Sequence, residues 1–450
     1  RVLEGDRWRS ATPLQAIRRL LTLADAQRSR LALPEARRTV QEALQRIARD
    51  PRGRNAELGR ARMLAAALES QDPSRPRSPA LFALAADAYE AAGDPLHRDY
   101  ARFVAGTYDP TMTPARMDAM AAQLLVDARR VGDVPIEVAI LRQSAWAAFT
   151  QRDYTRFRAL LREAYDSTVR AGDVPLQRML EIDLVHDDLL QGRYASADAR
   201  AARLPPGTTP GGQGYWLATV RADLMASRGR HAQALQGLDI EERALNGGRP
   251  TPVPEGAWLA VARARSHLAL GALDRARAEL ERVRTANIPM FADELAELQG
   301  GVDLLSGDLP RARLVVLQAA EAADALPPGS SERDTVPLGL APLLVKVGEP
   351  ARAERMLERA LPGLRDAGFT ALVATAEVGL AEAAAARGDW PRARAMAASA
   401  RSRLPRDMAP LVARLDLLAL QEARARGDVA VAQALATRLQ RDAKARGDAW

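Results

Sequence analysis

Asp183, His186 and Asp187, in the stretch EIDLVHDD, form the one cluster in this sequence whose residue types suit a metal ion. Spacings of three and four would set them near one face of a helix. A metal site needs a further contributor that an isolated triplet lacks, so the cluster reads as the polar wall of a helical surface, and no metal or cofactor is expected. The other histidines, His97, His231 and His267, read as turn or surface residues. There is no cysteine, which removes disulfides, zinc–thiolate sites and thiol nucleophiles together. Lys346 and Lys444 are the only lysines, and neither follows a glycine-rich loop that could cradle a phosphate. Gly211-Gly212-Gln213-Gly214 follows no strand and reads as a loop, and no Gly-x-Ser-x-Gly elbow occurs. No residue is assigned a catalytic role, and the expectation is a protein that is not an enzyme.

Composition narrows the architecture. Of the 450 residues, 47% are hydrophobic but only 4% aromatic, with Ala and Leu dominant, an alphabet that forms helices and makes a poor source of strands. No run approaches the ~20 apolar residues of a membrane helix, so no membrane insertion is expected within this chain. The chain begins with Arg1, so the sequence is read as an excerpt or a processed form. A cytoplasmic reading is preferred to a periplasmic one, which would need an upstream signal or membrane segment. The net charge of +7 comes from arginines interleaved with acids, a solvated helical surface more than a nucleic-acid stripe, and nucleic acid is not the expected partner.

The organisation becomes visible on aligning glycines. Gly192, Gly229, Gly271, Gly307, Gly348, Gly388 and Gly427 recur at steps of 36 to 42 residues, and five residues after each stands an alanine: Ala197, Ala234, Ala276, Ala312, Ala353, Ala393 and Ala432. A step near 40 lies in the range of helical-pair repeats. Glycine would end the first helix of a pair, Asp would cap the second, and Pro310, Pro350 and Pro391 fall in a first turn where a missing N–H does no harm. The alanine lets the two helices approach. Arg387-Gly388-Asp389, which returns at Arg426-Gly427-Asp428 and Arg446-Gly447-Asp448, is therefore helix, stop and cap, not an adhesion signal. Gly132-Asp133 and Gly172-Asp173 fall between pairs, and Arg152-Asp153-Tyr154 takes the within-pair turn 40 residues before Gly192, with Phe157 in the alanine slot.

Glycine, often aspartate, a bulky residue two further on (Tyr194, Leu273, Leu309, Trp390), then alanine at five resembles the inter-helix turn of the tetratricopeptide repeat. The pattern departs from that family in its period. It departs also in a small residue at mid-first-helix that is clear only at Gly300, and in a terminal proline plain only at Pro405. The longer helices resemble the repeat domains of large bacterial signalling and transcription regulators. The resemblance implies an all-α, right-handed solenoid of about nine helical pairs over residues 80–450. Before it come an N-terminal helical segment, residues 1–69, and a linker, residues 70–79 (SQDPSRPRSP). Loops are expected at 204–214, 246–256 and 326–337. Residues 5–21 resemble the last helix of bacterial serine/threonine kinase domains, over a short and unspecific stretch.

The resemblance also implies a concave groove lined by first helices. Counted from the within-pair turn, Trp216 and Trp258 fall at family position two and Trp146 at position nine, all groove-facing. The same count places Arg142, His186, Asp223, Arg265, Glu294, Glu297, Glu382 and Gln421 there. The function this implies is a non-enzymatic scaffold that binds a protein or peptide, the regulatory or sensory part of a bacterial signalling protein. The alternative is the C-terminal, non-catalytic repeat domain of a larger serine/threonine kinase or helix-turn-helix transcription regulator whose active domain precedes Arg1.

Overall fold

The computed structural model describes residues 12–446 apart from 31, 71–78, 110, 208–211, 248–250, 252, 287, 289–290 and 405–407. All but the ends of the expected linker therefore lies outside the described residues, as do Pro405, residues 5–11 of the kinase-like stretch, and Gly447-Asp448. The described residues form 22 helices and no strand: α1 (Pro13–Ser29), α2 (Leu33–Arg49), α3 (Asn55–Ser70), α4 (Pro79–Ala91), α5 (Pro95–Gly106), α6 (Pro114–Val131), α7 (Val134–Thr150), α8 (Tyr154–Ala171), α9 (Val174–Leu190), α10 (Tyr194–Ala202) and α11 (Gly212–Ala226). They continue with α12 (His231–Asn246), α13 (Val253–Ala269), α14 (Leu273–Ala286), α15 (Ala292–Leu305), α16 (Leu309–Ala325), α17 (Glu332–Lys346), α18 (Pro350–Asp366), α19 (Thr370–Ala386), α20 (Trp390–Arg403), α21 (Ala409–Arg426) and α22 (Val429–Arg446).

From α13 to α19 each first helix packs on its own second helix and also on the next first helix, as α13 does on α14 and α15, and α19 on α20 and α21. No pair can bury its apolar face alone, and stacking supplies the core. The fold is an all-α solenoid of tetratricopeptide-like helix pairs.

The turn between α19 and α20 shows how the sequence builds a pair. Gly388 takes φ +81°, where a Cβ is disfavoured, and the Asp389 amide returns to the Ala384 carbonyl at 2.9 Å. The Asp389 carboxylate then accepts the Arg392 amide at 3.1 Å, capping α20 with Pro391 in its first turn. All seven register glycines have φ between +69° and +87°. Ala197, Ala234, Ala276, Ala312 and Ala353 have no exposed surface and Ala393 very little, whereas Ala432 in α22 stays partly open. That helix has no following pair among the described residues.

Three expected loops end earlier than the sequence suggests. Residues 332–337 are the start of α17, which runs through Pro337 and Pro342, because burial of Pro337, Leu340, Ala341 and Leu344 outweighs the lost backbone bonds. Residues 212–214 open α11, and 253–256 open α13 with Pro254 near its start. Gly300 does lie where a Cβ would meet the Val316 side chain of its own second helix at 2.7 Å, whereas Gly379, at another register position, closes on Leu357 of the preceding pair.

The chain divides into two compact units. Unit 1 comprises residues 1–144, 162–177 and 210–212, and unit 2 comprises 145–161, 178–209 and 213–450. In unit 1, α1, α2 and α3 share a core of Ile17, Leu21, Val40, Ile47 and Leu68, and a second core joins Leu96, Phe103, Leu124 and Ile140.

Unit 2 touches itself across long stretches of sequence. The Ser331 amide donates to the Thr150 carbonyl at 3.3 Å, and Arg152 reaches the Asp334 carboxylate at 2.7 Å and the Pro328 carbonyl at 3.2 Å. Arg158 bridges Asp187 at 3.0 Å and the Ala367 carbonyl at 2.6 Å. The Tyr154 ring lies 4.7 Å from Phe369, and the Tyr194 hydroxyl meets Met408 sulfur at 3.2 Å, 214 residues away. Further along the same seam, Val185, Val220 and Leu224 share a core with Val378, Leu411 and Leu415.

Candidate functional site

The rings of unit 2 form a continuous row across successive first helices. Trp146 stands 6.1 Å from His186, His186 5.1 Å from Trp216, Trp216 5.0 Å from Trp258, and Trp258 4.8 Å from Phe291, the last two contacts edge to face. Residues one repeat apart on stacked helices land on the same face, which is how 146 and 186, or 216 and 258, come together. At the other end Trp146 meets Phe149 and Phe157, each at 5.5 Å, and Phe149 leads to Phe369 in the seam. Trp146, His186, Trp216 and Trp258 are half-buried, while Phe157, Phe291 and Phe369 are fully buried.

Charged residues flank the far end of this row. Arg265 in α13 donates to Asp223 in α11 at 2.8 Å, with 38% and 33% of the two side chains still open. Burial opposes the charge of Arg265, but Asp223, Glu297 and Glu294 outweigh it and raise its pKa. Burial pushes the Glu297 carboxyl up, with Arg265 as its counterweight. Burial likewise raises Glu294, against its own backbone N–H and Arg265 and with the help of Asp293 and Glu297. His186 is held below its ordinary value by burial, with Asp183, Asp223 and Asp187 pulling the other way, so it is neutral at pH 7.

Of the eleven residues expected to line a groove, the structure brings Trp146, His186, Trp216 and Trp258 into contact as a row, and Asp223, Arg265, Glu294 and Glu297 into one electrostatic group, while Glu382 pairs with Arg414 and Gln421 is exposed. Arg142 is a residue of unit 1 and is half-buried. The Asp183–His186–Asp187 triplet is divided among other tasks: Asp183 is buried, and Asp187 is held by Arg158 and, at 2.6 Å, by Gln191. Among the described residues no group of three or more candidate ligands could hold a metal ion. Counting helix positions misses Phe291, because it sits at the N-cap just ahead of α15, misses Phe149, which meets Trp146 within α7, and misses Phe369, which reaches the row only through the seam. A second, apolar concavity of ≈390 Å³ lies between His231 and Ala269 on one side and Leu417, Leu439 and Ala443 on the other. Its arginine, Arg414, is already held by both carboxylate oxygens of Glu382 at 2.7 and 2.6 Å.

Fold and row together define a tetratricopeptide-like helical repeat protein with an aromatic stripe along its first helices. No family model and no curated protein matches the sequence. Among solved structures it is similar to a Rap protein complexed with competence and sporulation factor, at 12% identity over 68% of this chain and 87% of that one, with a TM-score of 0.49. It is similar also to the Cut9–Hcn1 hetero-tetramer of APC/C (12% identity, 98% and 82% covered, TM-score 0.48) and to yeast Tom70 (11% identity, 94% and 99% covered, TM-score 0.37). The repeat architecture rests on the order and packing of the helices themselves.

Proposed function

We propose that this protein is a binding scaffold, not an enzyme, and that the ring row of unit 2 is the floor of a groove that holds an extended peptide or protein segment. The observation that carries this reading is the uninterrupted row Trp146–His186–Trp216–Trp258–Phe291, whose tryptophans are only half-buried. Large rigid rings give much contact area for little lost rotamer freedom, and they dominate binding energy where they cluster. The group at Asp223, Arg265, Glu294 and Glu297 supplies polar contacts beside them. Carboxylates there repel phosphate, which disfavours nucleic acid in the same groove. The finer reading, that this is the regulatory or sensory part of a bacterial signalling protein, rests on the resemblance of the repeat itself.

The test is capture from a nuclease-treated lysate of the source organism, comparing the full chain with Trp216→Ala/Trp258→Ala by mass spectrometry. Proteins retained by the parent chain and lost from the variant are expected. Identical sets would remove the row from the binding surface.

A further inference from the structure

We propose that the concavity between α12–α13 and α21–α22 is a second binding site, independent of the ring row, for a single-chain amphiphile with an anionic head: a fatty acid, its tail along α21 and α22 and its carboxylate on Arg414. The site begins where the seam core stops. Leu411, Leu415 and Leu418 turn one side of α21 into the core shared with Val220 and Leu224. Ala413, Leu417 and Leu420 make another side of the same helix apolar and line the concavity, with 40% of Leu417 open. A surface helix ordinarily buries one apolar stripe and turns polar residues outward, so a second apolar side marks a second surface to be covered. Alanines at 269, 413, 436 and 443 hold ≈390 Å³ open, within the ~300–1,000 Å³ of small-molecule sites. The lining runs about 15 Å along α21, from Pro410 to Leu420, and about 10 Å along α22, from Ala436 to Ala443. A slot of that length fits a chain better than a compact ring.

The head group follows from the polar lining. Among the described residues no carboxylate lines the concavity, and its polar side chains are His231, Arg414 and Gln440. Arg414 is fixed but not saturated. Its Nε and Nη2 donate to the two oxygens of Glu382 at 2.7 and 2.6 Å, which sets the plane of the guanidinium. Nη1 makes no hydrogen bond among the described residues, and 26% of the side chain is open. Two oriented N–H donors on Nη1 are therefore left for an acceptor, and a carboxylate takes such donors in short, charge-assisted bonds. Lys346, in the last turn of α17, lies within electrostatic reach of Arg414 and Glu382, so two cations and one carboxylate meet at this end of the slot.

The probe is cis-parinaric acid, whose emission rises in an apolar site, titrated into the full chain and displaced by dodecanoate, dodecanol or dodecylamine. Dodecanoate is expected to displace it about tenfold more effectively than the alcohol, and the amine least of all, a ranking that needs no variant to fold. Arg414→Gln/Glu382→Gln should bring dodecanoate down to the level of the alcohol. Ala436→Phe should exclude the probe by filling the slot, and Trp216→Ala/Trp258→Ala should leave its binding unchanged. A diazirine-tagged dodecanoate should cross-link within residues 410–420 or 436–443. Displacement by the alcohol or the amine as effective as by dodecanoate overturns the anionic head, and the inference with it. Cross-links confined to other helices, or no uptake of the probe, as when a second copy covers the concavity, overturn the site.

Discussion

The turns at Gly388 and at Arg152 share a backbone conformation and little else. At Gly388, with φ +81°, nothing lies within 4 Å of where a Cβ would be, and the turn serves only its own helix pair. At Arg152, with φ +65°, the only described non-glycine residue in the left-handed region holds the place of the glycine and sends its side chain to Asp334. Left-handed backbone costs an ordinary residue about 1 kcal/mol. The chain bears that cost where a side chain is needed to bind a distant part of itself. The register breaks at a point of tertiary contact, so an irregular repeat is informative about topology where a regular one is not.

The comparison can be broken most forcefully at Phe369, fully buried against Tyr154 and Phe149. Phe369→Ala is expected to cost about 3–5 kcal/mol and to open the seam. Amide hydrogen exchange should quicken in α17–α19 and in residues 154–161 while the α21–α22 turn keeps its protection. Arg152→Ala should come next, at about 2 kcal/mol, because it strands the buried Asp334 carboxylate. Arg152→Gly should be milder than alanine by about 1 kcal/mol, since glycine relieves the left-handed backbone strain that arginine and alanine both bear. If thermal melting ranks the two the other way, backbone strain is not part of the seam. Gly388→Ala should cost about 1 kcal/mol from backbone alone, with protection falling only in α19 and α20.

The smallest effect is expected at Glu297. Its folded-state pKa is raised, so ionisation is harder in the fold than in the unfolded chain, and stability present below the unfolded value is lost as pH rises through the folded one. Glu297→Gln should therefore melt higher than the parent chain at pH 7 and alike below pH 4.5, the unfolded reference. Equal melting at both would mean that Arg265 balances the carboxylate fully.

The pairs were legible because their signals are local. Gly388 needs its conformation and Asp389 its cap whatever the rest of the chain does, and Ala393 answers to a helix only a few residues away. The near-40 step then predicts that Trp216 and Trp258 share a face, since a solenoid repeats its faces. The seam left no such trace. Nothing around Tyr154 names Phe369 as its partner, and Phe157 in the alanine slot marks only that something bulky is accommodated. The loop over 326–337 misled because proline argues locally against a helix that tertiary burial nonetheless sustains.

The seam also fixes a number. An open array of repeats can duplicate or delete a pair and still stack, because each pair meets only its neighbours. Between α8 and α17 lie four pairs, α9 to α16, and the bonds from Thr150 to Ser331 and from Arg152 to Asp334 close around them. A fifth pair would carry Phe369 away from Tyr154, and a third would bring the wrong residues to meet it. Such a chain can drift in sequence, but this segment cannot evolve by the usual gain and loss of whole repeats without first giving up its closure.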